Sequence, residues 1–202
     1  MPRLLRNARA LGKLSLLALL LAATLALSAC SDNSHTRVTT GTYAGESGQN
    51  APYLNVGPLI YEVQLSRELN PYDTEDSSYL AGLTPLQRRL RPGEEWFGVF
   101  LQVYNESSTP HLAATNITIS DTQNNIYAPL APAPTNEFAY RGGLLAPKAR
   151  IPALNTVAAN GVTQGALLLF KIQVVSLDNR PLELKIVDPL DPSQTASAEL
   201  DV

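Results

Sequence analysis

The side chains able to do chemistry in this 202-residue chain are few and scattered. There is one cysteine, Cys30, and there are two histidines, His35 and His111. The densest run of carboxylates is Glu68, Asp73, Glu75 and Asp76, with Asn70 among them. Hard cations take oxygen ligands, so Asp73, Glu75 and Asp76 are a candidate calcium site, although the Asp-x-Asp-x-Asp-Gly spacing of a calcium loop is absent. The competing reading is a solvated acidic loop in which Asp76 caps a short helix through Ser77 to Leu83, ended by Pro85. Transition metals need clustered thiols, imidazoles or carboxylates, and the only methionine is the initiator, so no such metal and no cofactor is expected. Gly45-Glu46-Ser47-Gly48 lacks the preceding strand that a nucleophile elbow requires. His111, beside Pro110, could serve as a base, yet a lone histidine in a loop is read as a solvated one. Adjacent Glu94 and Glu95 would point to opposite sides of a strand, a poor acid/base pair. No catalytic residue is assigned, and the chain is read as a non-enzyme.

The elements that must position these residues begin with a leader. Residues 1–29 hold a basic segment, MPRLLRNARALGK, then an apolar run, LSLLALLLAATLAL, then small residues. This is the order of a secretory signal peptide. The apolar run is too short for a stable bilayer span, which takes about 20 residues. Its four cations, Arg3, Arg6, Arg9 and Lys13, leave eleven of the fifteen basic residues facing all eighteen acidic ones, a net charge of −7 beyond the leader. Affinity for nucleic acid comes largely from cations that neutralise phosphates, so an acidic chain of this kind is not expected to bind it.

The sequence Leu27-Ser28-Ala29-Cys30 at the end of that leader resembles the lipobox of bacterial lipoproteins. The resemblance implies cleavage between Ala29 and Cys30 and lipidation of the Cys30 thiol. With no second cysteine for a disulfide, the motif and its leader support each other. Acyl chains contribute about 0.8 kcal/mol per buried methylene, so two or three of them would hold the protein on a membrane, on its extracytoplasmic face. The stretch 30–52, SDNSHTRVTTGTYAGESGQNAP after the cysteine, is small and polar and is expected to be a flexible tether spanning roughly 25 Å.

The domain proper is placed at 53–202. In Leu59–Ser66 the apolar residues alternate, which puts Leu59, Tyr61, Val63 and Leu65 on one face of a strand. In Glu95–Asn105, Phe97, Val99, Leu101 and Val103 form an apolar face. Further strands are expected at 114–120, 125–128, 165–175, 182–187 and 197–202, and Asp121-Thr-Gln-Asn-Asn125 is a natural hairpin turn. About seven short strands with little helix predict an all-β fold, an immunoglobulin-like β-sandwich with a short helical insertion, though without the Cys…Trp…Cys pattern of antibody domains. The other face of Glu95–Asn105 carries Trp96, Phe100 and Tyr104. Exposed together, they would form a candidate binding face for a glycan or a protein. Alternatively, the insertion between Arg67 and Glu94 folds over them through Tyr79, Leu80 and Leu83 as a second small core. Asn105-Glu106-Ser107 and Asn116-Ile117-Thr118 match the glycosylation acceptor pattern and are read as turn and strand residues.

From Gly93 to Val187 the pattern resembles immunoglobulin-like domains of unknown function found in bacterial cell-surface lipoproteins. The resemblance rests on Trp96 to Asn105, on Asp121…Tyr127 and on Gly165-Ala-Leu-Leu-Leu-Phe170-Lys-Ile172. The sequence departs from it at Ala146-Pro147-Lys148, where such domains often carry a proline-glycine turn. The resemblance implies a fold and a location and no catalytic residues. The expected role is a membrane-anchored binding or scaffolding module of the cell envelope with an envelope protein or glycan as partner. The alternatives are a solute-capturing lipoprotein accessory to a transporter and, third, an envelope hydrolase.

Overall fold

Alternating apolar residues separated by Pro- and Asn-rich turns give strands, and two sheets of them close over a common core. The computed structural model describes residues 53–200 and, ahead of these, a two-residue strand at Arg37–Val38. Cys30, Ala29, His35 and the Gly45–Gly48 motif lie outside the described residues.

In chain order the elements are β1 (Arg37–Val38), β2 (Tyr53–Val56), β3 (Leu59–Leu69), the helices α1 (Thr74–Tyr79) and α2 (Pro85–Arg88), and then β4 (Glu94–Tyr104). There follow β5 (His111–Ala113), β6 (Asn116–Ser120), β7 (Ile126–Tyr127), β8 (Gly143–Leu145) and β9 (Arg150–Ile151). The chain continues with α3 (Val157–Asn160), β10 (Ala166–Gln173), a 3-10 turn at Val174–Leu177, β11 (Leu182–Val187) and β12 (Thr195–Leu200). One sheet runs β1-β12-β11-β6-β7; the other runs β10-β4-β3-β2, with β9 pairing the end of β4. A small ribbon joins β5 to β8. The β1–β12 pair is parallel and the other strand pairs are antiparallel.

Between the sheets lies the main core. Phe97, Val99, Leu101 and Val103 of β4 meet Ile117 and Ile119 of β6 and Leu182, Leu184 and Ile186 of β11, all buried. Each large apolar side chain so buried contributes about 1.5–3 kcal/mol. The Tyr61 phenol accepts the Ala114 N–H at 2.7 Å, and Tyr140 donates to the Ala114 carbonyl at 2.8 Å, which ties β3 to the start of β6. Burial pushes the Tyr61 phenol up to about 12.

The sequence 121–125 forms the expected hairpin turn. Asp121 is buried and its carboxylate accepts the amides of Gln123 and Asn125, both at 2.9 Å, the Asn125 side chain at 2.8 Å and the Ser176 hydroxyl at 2.7 Å. Asn124 takes φ 62°, the left-handed conformation that Asn tolerates. Burial opposes the charge on Asp121, but these donors outweigh it and hold the carboxyl at about 2.

Strand β3 departs from simple alternation. Val63 pairs with Leu101, but Leu65 pairs with Phe100, so the register shifts by one residue and Gln64 is the extra residue of a β-bulge. The bulge turns Leu65 and Leu69 to the side opposite Leu59, Tyr61 and Val63. The expected single face containing Leu65 is thereby corrected: Leu65 packs against a second core, not the main one. Because β10 is also covered on both sides, Ala166–Phe170 reads as a continuous apolar run.

Candidate functional site

The second core decides the fate of the aromatic stripe. Trp96 is 2% exposed and Phe100 is wholly buried, so the alternative reading holds at these two residues: the insertion covers them and no binding face is exposed there. Beneath the insertion they pack with Leu69, Tyr79, Leu80, Leu83, Leu167 and Leu169. The Tyr79 ring meets Phe100 edge-on at 5.2 Å and Phe138 at 4.9 Å. Strand β4 brings Gly98 to this same face, and a Cβ there would stand 3.1 Å from a Leu167 methyl and 3.2 Å from a Leu69 methyl. Removing the side chain lets the leucines close over the strand.

Asn136, 2% exposed, fastens the cover. Its amide donates to the carbonyls of Tyr79 and Ala81 at 2.8 and 2.9 Å, and its oxygen accepts the amides of Phe138 and Ala139 at 2.9 Å. A single side chain thus satisfies four backbone groups from two segments distant in sequence. Nothing in the local pattern of Pro134-Thr-Asn136-Glu-Phe138 marks Asn136 as buried.

The three carboxylates proposed for calcium go to separate structural tasks. Asp73, rather than Asp76, is the N-cap of α1 and accepts the amides of Glu75 and Asp76. Glu75 accepts the Tyr79 hydroxyl at 2.6 Å and the Thr163 hydroxyl at 3.0 Å. Asp76 is forked by Arg67 and accepts the Asn70 amide at 2.7 Å. Burial works to raise the Asp76 carboxyl, yet the Arg67 bonds and the Asn70 amide hold it below its ordinary value. Among the described residues no group of three metal-ligating side chains converges. The helix also ends at Tyr79, and a second one, α2, starts at Pro85 behind the Thr84–Gln87 capping box.

Of the stripe only Tyr104 reaches the surface, and it does so at a polar end of the sheet. Its hydroxyl donates to Gln102 and lies 3.1 Å from the Glu62 carboxylate. The Arg150 guanidinium, carried by β9, stands 5.3 Å above the Tyr104 ring and also donates to Gln102. Burial, then the charge of Glu62, pushes the Tyr104 phenol up to about 12, against the pull of Arg150. The Arg150 Nε is buried without a hydrogen-bond partner. These residues border a cleft of about 460 Å³ lined by Tyr104, Asn105, Glu106, Lys148, Ala149 and Arg150.

Lys148 takes φ 58° in the turn closed by the Ala149 amide on the Ala146 carbonyl at 3.1 Å. This is where the resembled domains often carry glycine. The turn is kept with a lysine held in a conformation that costs a side-chain-bearing residue on the order of 1–3 kcal/mol. Lys148 Nζ donates to the Glu106 carbonyl across the cleft. Lysine and arginine therefore stand two residues apart at one edge, with Arg150 stacked on a tyrosine.

The remaining candidates are structural. Asn105, 1% exposed, donates to the carbonyls of Thr109, Leu145 and Ala146 at 2.8–3.0 Å, which fixes the turn after β4. His111 pairs its Nε2 with the Thr109 hydroxyl at 3.0 Å. Glu94 accepts the Arg91 amide at 2.7 Å, while Glu95 is raised above the ordinary carboxyl value by burial and by the charge of Glu68. The two neighbours thus go to different surroundings.

No helix among the described residues is long and apolar enough to cross a membrane. No family model matches the sequence, and no curated protein matches it. Solved structures do resemble the fold. The yjhA protein from Bacillus subtilis is 10% identical with a TM-score of 0.50, over 74% of this chain and 97% of its own. A putative lipoprotein, ycdA, from the same organism is 10% identical with a TM-score of 0.46, over 76% of this chain and 39% of its own. An uncharacterized β-sandwich protein from Clostridium difficile is 9% identical with a TM-score of 0.42, over 75% of this chain and 91% of its own. At 10% identity the likeness to the yjhA protein is one of fold, and it agrees with the two sheets described above: the chain is an all-β sandwich.

Proposed function

We propose that this chain is a lipid-anchored module of the cell envelope whose immunoglobulin-like sandwich binds a partner and performs no catalysis. The observation that carries the reading is Cys30, the sole cysteine, set directly after a basic and then apolar leader. Its thiol would be consumed by lipid, and the domain would work on the extracytoplasmic face of the membrane.

With Trp96 and Phe100 covered, the binding surface moves to the cleft between β4 and β9. Lys148 and Arg150 offer charge-assisted donors, and Tyr104 offers a ring edge. That donor set suits an acidic group on an envelope protein or glycan. A strained backbone at Lys148 supports this, because strain persists where a residue is retained for something other than stability.

Expression of the full chain in bacteria with labelled fatty acid, followed by detergent-phase partitioning, tests the anchor. The wild type is expected to carry label and enter the detergent phase, and Cys30→Ser to lose both. An unlabelled wild-type chain in the aqueous phase overturns the proposal. Crosslinking in intact cells through a photoreactive residue at position 104 tests the surface; capture that is unchanged by Arg150→Gln excludes the cleft.

A further inference from the structure

Residues 53–202 carry ten basic and sixteen acidic side chains, a net charge of −6, yet four of the ten gather at one place. Arg88 ends α2, Arg89 and Arg91 lie on the turn between α2 and β4, and all three are exposed. Lys171 of β10 stands over the Trp96 ring at 5.2 Å and donates to the Arg89 carbonyl at 2.7 Å, which fixes the turn against the sheet. Leu86, Arg89, Leu90, Arg91, Pro92 and Lys171 line a shallow cleft of about 460 Å³. Arg88 spends one N–H on the Leu80 carbonyl at 2.9 Å. Among the described residues no hydrogen bond or ion pair is made to the Arg89 and Arg91 guanidinium groups, and the carboxylate of Glu94 beside them accepts the Arg91 amide.

The same place is apolar at its tip. Leu86 is 82% exposed, one residue after Pro85. The capping box of Thr84 and Gln87 holds it there: the Thr84 hydroxyl accepts the Gln87 amide at 3.2 Å, and the Gln87 side chain accepts the Thr84 amide at 2.9 Å. Val174 and Val175, 47% and 55% exposed, adjoin the turn through the Val174 amide on the Gly93 carbonyl at 2.8 Å. A protruding leucine ringed by arginines is the composition of a segment that sits in a bilayer interface, with cations at the phosphates and the aliphatic group below them.

We infer that this face docks onto an anionic lipid surface, with Arg89 and Arg91 on headgroup phosphates and Leu86 in the interface. Charge complementarity selects this occupant, because the rest of the domain is acidic and would turn its other faces away from such a surface. A few exposed cations and one leucine give a free-solution affinity only on the order of millimolar. The contact therefore acts when the chain is already held at the membrane, where effective concentration is high, and in that respect it rests on the proposed anchor. Docking would set the orientation of the sandwich, not its attachment.

The test uses the full chain reconstituted in vesicles, with a photo-crosslinking residue at position 86 and radiolabelled lipid. Flotation of the vesicles reads anchoring and crosslinking to lipid reads docking. In phosphatidylcholine vesicles containing phosphatidylglycerol, lipid crosslinking is expected, falling at least about fivefold in Arg89→Glu/Arg91→Glu and in 0.5 M salt while flotation is unchanged. A chain that floats without lipid crosslinks at position 86 overturns docking alone, as does equal crosslinking in pure phosphatidylcholine. So does loss of crosslinking to millimolar glycerophosphate, which would make the site one for a soluble phosphate. A chain that fails to float overturns the anchor and the docking with it.

Discussion

Arg67 and Asp76, nine residues apart across the turn that opens the insertion, meet in a two-pronged ion pair with Nη1–Oδ2 at 2.9 Å and Nη2–Oδ1 at 2.5 Å. The carboxylate is 7% exposed and the guanidinium side chain 31%. The pair fastens the start of the cover to β3, downstream of the bulge. Removing one partner leaves the other partly buried and unpaired, so Arg67→Gln is expected to cost about 2 kcal/mol, read from the urea midpoint. Trp96 emission should shift to the red at sub-denaturing urea as the insertion loosens. The double change Arg67→Gln/Asp76→Asn should cost less than the two single losses added together.

The acid limb of stability follows from two carboxylates. Asp76 is lowered from 3.8, and Asp121 is lowered to about 2. Because the folded state prefers both ionised, their contribution is fully present above about pH 4 and is lost as pH falls through the folded values, down to about pH 2. Chemical denaturation between pH 7 and pH 2.5 should give a flat upper range and a fall beginning near pH 4. In Asp121→Asn the fall should be shallower and the stability at pH 7 lower by about 2 kcal/mol.

Tyr79 is the keystone of the cover: it is 1% exposed, edge-on to two phenylalanines and bonded to Glu75. Tyr79→Ala should cost about 3–5 kcal/mol and expose Trp96 to iodide quenching. Tyr79→Phe, which keeps the ring and loses the hydroxyl, should cost about 1 kcal/mol with quenching unchanged. Equal losses for the two variants would contradict the packing role.

Gly98→Ala inserts a methyl group between Leu69 and Leu167, whose methyl carbons would lie 3.1–3.3 Å from it. The neighbours are ends of flexible side chains, so the fold should survive with a loss of about 1–2 kcal/mol. Guanidinium denaturation followed by Trp96 fluorescence measures it. A gain in stability would show that the second core is underpacked.

The β-sandwich was legible because β11 alternates cleanly, because one face of β4 is apolar throughout, and because Asp121 and Asn124 announce their turn. The bulge was not legible: Leu59, Tyr61, Val63 and Leu65 fit one period, and only the pairing with β4 shows where the count slips. Asp73 and Asp76 are equivalent capping residues on paper. What separates them is Arg67, a contact that depends on where β3 ends. The stripe could be read from Trp96, Phe100 and Tyr104, and its cover from Tyr79, Leu80 and Leu83, but the cover is held by Asn136, 57 residues from Tyr79, and no local rule reports such a bond. The Arg150 cleft is illegible in the sequence for the same reason, since Tyr104 and Arg150 become neighbours only when β9 pairs with β4.

Gln64 acts on β3 as an inserted letter acts on a reading frame. Upstream of it the odd-numbered residues serve one core, and downstream the odd-numbered residues serve the other. One eleven-residue strand thereby splits its loyalty between two interiors that share a single wall. Removal of Gln64 would set Leu65 directly after Val63, and plain alternation would still point Leu65 and Leu69 toward the second core. The extra residue therefore bends and twists the shared wall, while the pairing of Leu65 with Phe100 and of Leu69 with Trp96 divides the two interiors.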